Sequence, residues 1–126
     1  MKELIIRSLA VGAGGFVGSI SRFLIANLFG QLNFRFPLGT MFINVTGSFI
    51  LGWFFTFAEP RGVSDAMRLA ISVGFVGGYT TFSTYMFESN RLAEDGAGLQ
   101  AMVNLLGSLI LGIAAVRLGI LVARWS

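Results

Sequence analysis

The sequence predicts an all-α integral membrane protein that crosses the bilayer four times, and three observations carry this. The 126 residues are 55% hydrophobic and only 12% charged, too few ionic groups to cover a soluble domain of this size. A helix needs about 20 apolar residues to cross the hydrocarbon, and four runs are of that order: 4–28, 38–58, 69–88 and 99–123. None of them alternates with the two-residue period of a barrel strand. The connections are short, so residues 1–126 read as a single membrane domain with the lipid bilayer as its solvent.

Composition removes several kinds of chemistry. There is no cysteine and no histidine, hence no disulfide, thiol, haem ligand, His-based zinc site or imidazole proton shuttle. The net charge is +3, from nine Lys and Arg against six Asp and Glu. The positive residues scatter at the ends of the apolar runs, which fits membrane anchoring rather than a nucleic-acid surface. Sorting them by side of the membrane leaves little positive-inside bias, which permits insertion both ways up.

The first run follows Lys2 as a signal peptide would, but it is long, contains Arg22 and lacks an Ala-x-Ala cleavage site, so it counts as a span. Ser8, Gly12, Gly15, Ser19 and Arg22 recur at three or four residues and share one helical face. Gly14 and Gly18 add a Gly-x-x-x-Gly pair, the pattern that lets helix backbones approach closely in lipid. Arg22 lies near the span's end, where a long side chain either snorkels to the interface or sets a positive potential at a pore mouth.

The second run places Thr40, Asn44 and Ser48 on one face, at i, i+4 and i+8. The fourth does the same with Asn104, Ser108 and Gly112. Such faces either bond helix to helix or form a track of neutral donors. The third run is almost all apolar up to Val76 and then reads Gly77-Gly78-Tyr79-Thr80-Thr81-Phe82-Ser83-Thr84-Tyr85. These are poor helix formers, so a break is expected here. Freed backbone groups in a span survive only if buried in protein or used to bind something. Phe82 and Tyr85 lie three apart, and their positive ring edges suit an anion held weakly.

Two stretches repeat. Gly15-Phe16-Val17-Gly18 returns as Gly74-Phe75-Val76-Gly77, and the pattern Asn-x-x-Gly-Ser-x-Ile-Leu-Gly from Asn44 returns from Asn104, at offsets of 59 and 60. The chain therefore reads as two helical hairpins on one plan. No acidic residue lies deep in any run, although proton-coupled pumps and cation exporters need a carboxylate there. Hydroxyls, amides and aromatic rings suit a small anion instead, and no nucleophile or acid–base pair points to an enzyme.

The run from Gly74 to Thr84 closely resembles the signature of the small fluoride ion channels, the Fluc or CrcB family. The likeness extends over the whole chain, through Arg22, the Gly39-Thr40-x-x-x-Asn44 run with Gly47-Ser48, Glu88, and Gly107-Ser108 with Gly112. It implies an antiparallel, dual-topology homodimer of four-helix subunits in the inner (plasma) membrane, with a break in the third helix. It also implies passive export of fluoride and a structural Na⁺ held on the dimer axis by the main-chain carbonyls of Gly77 and Thr80; oxygen-only ligation suits a hard cation. The family's pore aromatics map to Phe82 and Tyr85, its amide to Asn44, its helix-four hydroxyl to Ser108 and its vestibule arginine to Arg22. Ser83 and Thr84 add hydroxyls, and Asn104 is expected to line the path or pack beside it. Tyr85 departs from the usual Phe and adds a hydroxyl that narrows the path or gives fluoride another donor. The competing functions are a small dual-topology exporter of toxic cations, which needs a Glu within the first span, and a non-transporting membrane scaffold, in which Asn44 and Ser108 would tolerate Leu.

Overall fold

The computed structural model describes residues 1–126, all helix and connection with no strand. Its elements are α1 (Lys2–Gly30), α2 (Leu38–Ala58), α3 (Asp65–Leu69), a π-helical stretch (Ala70–Phe75), α4 (Val76–Tyr79), α5 (Phe82–Glu94) and α6 (Gly98–Arg124). Three helices are long and apolar enough to cross a membrane: Lys2–Gly30, Leu38–Arg61 and Gly98–Arg124. The stretch 69–88 differs from a single spanning helix. It lies within a longer series of short helical pieces that starts at Asp65 and ends at Glu94.

Local chemistry sets the ends of these elements. Pro37 precedes α2, where its missing N–H costs no helical bond. Past α2 the turn Glu59–Arg61 tightens to a 3₁₀ form, and Gly62 takes a left-handed φ of 60°, which glycine adopts at no steric cost. Ser64 caps α3 by accepting from Met67 N–H at 3.4 Å. Arg7 reaches Asp65 at 3.0 Å and so ties the start of α1 to the start of α3. At the opposite end, Arg35 donates to the Asp95 carbonyl at 3.2 Å, joining the first and last connections.

The repeated motifs pack against each other. α1 lies along the π-helical stretch so closely that a Cβ on Gly14 or Gly18 would collide with the carbonyls of Ala70 and Phe75. A Cβ on Gly78 would meet the Gly15 carbonyl oxygen at 2.6 Å, and one on Gly74 the Val11 carbonyl oxygen at 2.5 Å. Backbone contact of this kind supplies van der Waals attraction, which has to drive association where lipid is as apolar as the protein. The π-helical stretch packs on this glycine face of α1.

α2 and α6 form the largest interface. Gly52 abuts Val116 and Gly119 abuts Phe49 and Trp53. Only 19 of the 126 residues are buried, so most of the chain's large apolar side chains face outward, as a lipid-facing surface requires.

Candidate functional site

The chain leaves the helix at Thr80, which is already extended (φ −82°, ψ 158°), and stays extended through Thr81. Thr80 N–H still closes the last turn of α4 on Val76 O at 2.9 Å, and Thr80 Oγ1 bonds the same carbonyl at 2.8 Å. A continuing helix would aim Thr81 N–H at Gly77 O. Instead it donates to Asn44 Oδ1 at 2.8 Å, and Asn44 Nδ2 donates to Thr81 O at 3.0 Å. One side chain thus satisfies both polar groups of an extended residue (φ −148°, ψ 117°). Left unpaired within a membrane, each group would cost several kcal/mol. Thr81 then caps α5, its Oγ1 accepting from Thr84 N–H at 3.3 Å.

Arg22 joins the break from α1. Its Nε donates to Gly78 O at 3.0 Å. A cation at the last carbonyls of α4 is favourably placed against the helix dipole.

Beside the break lies a cleft of about 270 Å³. Its polar wall is Asn44, Ser48, Thr80, Thr81 and Ser108, and its aromatic wall is Phe82 and Tyr85. No lining residue is a carboxylate or a basic group. The two rings meet edge to face, with centroids 6.1 Å apart and planes at 68°. Phe82 is 73% exposed in the single chain, whereas Tyr85 is buried. The Tyr85 hydroxyl donates to the Leu105 carbonyl, so its proton is directed into α6 and away from the cleft.

The structure therefore brings Asn44, Thr80, Phe82, Tyr85 and Ser108 to one cleft and leaves the other candidates outside its lining. Ser83 is exposed. Thr84 Oγ1 accepts from Thr81 Oγ1 at 3.0 Å. Asn104 is fully buried and bonds Ser89 and Ser108. Arg22 is held on the Gly78 carbonyl. Gly77 lies in α4 just before the break and Thr80 in the break itself; Gly77 is exposed and has open space beside it.

Residues 9–120 match the family described as CrcB-like protein, Camphor Resistance (CrcB). The chain belongs to the CrcB family. Its relatives include the "Fluoride-specific ion channel FluC" of Chlorobium chlorochromatii (strain CaD3), 43% identical over 118 residues, covering 93% of this chain and 92% of the relative. A protein of the same description from Prosthecochloris aestuarii (strain DSM 271 / SK 413) is 40% identical over 128 aligned residues, covering 100% of both chains. Another, from Nitrobacter winogradskyi (strain ATCC 25391 / DSM 10237 / CIP 104748 / NCIMB 11846 / Nb-255), is 43% identical over 118 residues, covering 92% of this chain and 94% of the relative. With its three membrane-length helices, this CrcB chain is a multi-pass membrane protein.

Two features of the CrcB cleft escape simple sequence reading. Ser48 lines it, as its place on the Asn44 face of α2 foreshadows, yet its hydroxyl bonds Asn44 O at 2.7 Å. Ser89 links α5 to Asn104, and its only sequence signal is a spacing of four from Tyr85.

As for metal ligands, no group of three or more Asp, Glu, His or Cys side chains gathers anywhere. The oxygens suited to a cation at the break are carbonyls, and Gly77 O is one whose helical donor has been turned away to Asn44. Oxygens of this kind are the ligands that hard cations take.

Proposed function

We propose that this chain forms a fluoride-selective channel and exports fluoride from the cytoplasm by passive electrodiffusion. The observation that carries this is the chemistry of the cleft: neutral donors and aromatic edges at a helix break, with no carboxylate or base among the lining residues. Fluoride is small and strongly hydrated, so it enters only where close donors replace its water. The Asn44 amide and the Ser108 hydroxyl supply such donors, and the edges of Phe82 and Tyr85 supply weak positive contacts that let the ion leave. Chloride is larger and less well matched to such close donors, so size and hydrogen bonding select together. Without a titratable carboxylate in the cleft, nothing couples the ion to a proton. Glu3 lies at the exposed start of α1, outside the span where a cation exporter would need it.

The working unit in this proposal is an antiparallel, dual-topology homodimer in the inner membrane. Two features support it. Phe82 is exposed beside an open cleft whose remaining wall a second copy would supply. Gly77 likewise faces open space, so two copies meeting there would bring together four carbonyls, from Gly77 and Thr80 of each, around one Na⁺. The ion's part is to hold the two breaks together.

Efflux from liposomes containing the purified protein, followed with a fluoride electrode and then a chloride electrode, tests the function. Rapid fluoride loss with negligible chloride loss is the expected result. Equal loss of both ions, or no fluoride loss from assembled dimers, overturns it.

A further inference from the structure

Most helical serines of this chain hold their protons on their own backbone. Ser8, Ser21, Ser48, Ser72 and Ser89 each donate to the carbonyl four residues back, at 2.6 to 2.9 Å. A short bond of this kind leaves the hydroxyl with no proton to offer a ligand. Ser48 is in this state although it lines the cleft.

Ser108 is different. Its hydroxyl donates to the side-chain Oδ1 of Asn104 at 3.4 Å, a long and weak bond. The cause lies one step behind it. Ser89 gives its proton to Tyr85 O, so its Oγ is left as an acceptor and takes a bond from Asn104 Nδ2 at 2.8 Å. That fixes which way the amide faces. Turned over, its oxygen would meet the lone pairs of Ser89 unless the Ser89 proton left Tyr85 O, so with that proton in place Nδ2 faces Ser89 and Oδ1 faces Ser108. Asn104 is 1% exposed, so bulk water does not reach it.

We infer that Asn104 is a positioning residue, which draws the Ser108 hydroxyl off the helix backbone and keeps its proton available to an anion in the cleft. The inference rests on the proposed pathway and deepens it: of the two cleft serines, Ser108 donates to the ion and Ser48 does not. The arriving anion replaces a weak neutral bond with a charge-assisted one, which is about twice as strong as an ordinary hydrogen bond. Asn104 never touches the ion. It acts through Ser108 alone, oriented in turn by Ser89 across the α5–α6 interface.

The test is a double-mutant cycle read as fluoride efflux from liposomes. Ser108→Ala is expected to slow flux about tenfold or more, the effect of losing a hydrogen bond to a charged group. Asn104→Leu, similar in volume, lets Ser108 fall back onto the residue 104 carbonyl and is expected to slow flux equally. The double variant is expected to be no slower than Ser108→Ala. Ser48→Ala is expected to change flux less than twofold. A merely structural Asn104 would add its loss to that of Ser108→Ala, and that multiplication, or unchanged flux in Asn104→Leu, overturns the positioning role while leaving the pathway standing. Unchanged flux in Ser108→Ala overturns both. Should Asn104→Leu fail to assemble, Ser89→Ala in the same cycle asks the same question. It removes the acceptor that orients the amide, and its loss of flux should vanish in the Ser108→Ala background; a loss that persists there overturns the role.

Discussion

The Asn44 side chain bonds both the N–H and the C=O of Thr81, at 2.8 and 3.0 Å. A single amide from α2 thereby takes the place that the next turn of helix would have filled. Asn44→Ala leaves two peptide groups unpaired. The expected loss is at least about 2–3 kcal/mol, from two hydrogen bonds of roughly 1 kcal/mol each, and more to the extent that the freed groups stay away from water. Thermal unfolding in detergent measures it, and a loss under about 0.5 kcal/mol would mean that the break is held by something else.

Tyr85 carries a hydroxyl whose proton is on the Leu105 carbonyl. Tyr85→Phe keeps the ring edge and removes only that bond. Fluoride flux is expected to stay within about twofold, while stability falls by roughly 0.5–1.5 kcal/mol. A large rise in flux would show that the hydroxyl obstructs the cleft, and a large fall that it donates to the ion.

Phe82 is the exposed partner of the aromatic pair. Phe82→Ile keeps an apolar side chain of useful volume and removes the ring's positive edge. Flux is expected to fall by an order of magnitude or more, since even one or two kcal/mol is a factor of about 5 to 30, while gel filtration still returns the same assembly as the unaltered protein. Unchanged flux would take the ring out of the mechanism.

Gly18 meets Phe75 and Tyr79 backbone with no room for a Cβ. Gly18→Val forces α1 off the π-helical stretch, and overpacking of this kind costs about 1–3 kcal/mol. Gly12→Ala, where a Cβ meets nothing within 4 Å, is the matched control. Melting temperatures that fall equally in both variants would refute the close-packed interface.

These cases mark what the sequence disclosed and what it withheld. Long apolar runs, the glycine spacing of α1 and the run of hydroxyls after Gly78 all act through local composition, and they delimit three membrane-length helices and a segment unlike them. The bounds 38–58 coincide with α2. What could not be read is who bonds whom across helices. Asn44 and Asn104 occupy matching places in the repeat, yet one meets a bare peptide group at Thr81 and the other a hydroxyl at Ser89. Ser83 looks in the sequence like its neighbours and is simply exposed, because α5 starts at Phe82 and turns it outward. The π-helical stretch carries no composition that marks it, and it packs on the bare glycine face of α1.

The proposed Na⁺ ligands are main-chain oxygens, which makes their test unusual. Thr80 Oγ1 already bonds Val76 O at 2.8 Å, so the side chain has its partner within α4. Thr80→Ala keeps the carbonyl and is expected to keep the Na⁺ requirement, with stability lowered by about 1 kcal/mol for the lost bond. In the unaltered protein, replacing Na⁺ with a large organic cation on both sides of the liposome should slow or stop fluoride efflux. Restoring Na⁺ at equal concentration on both sides should restore it. A Na⁺ gradient with no fluoride gradient should move no net fluoride, because a structural ion completes no cycle across the membrane. Gradient-driven uptake would instead make the protein a coupled transporter. Full efflux without Na⁺ would remove the ion from the site, and loss of the Na⁺ requirement in Thr80→Ala would assign it to the hydroxyl rather than to the backbone.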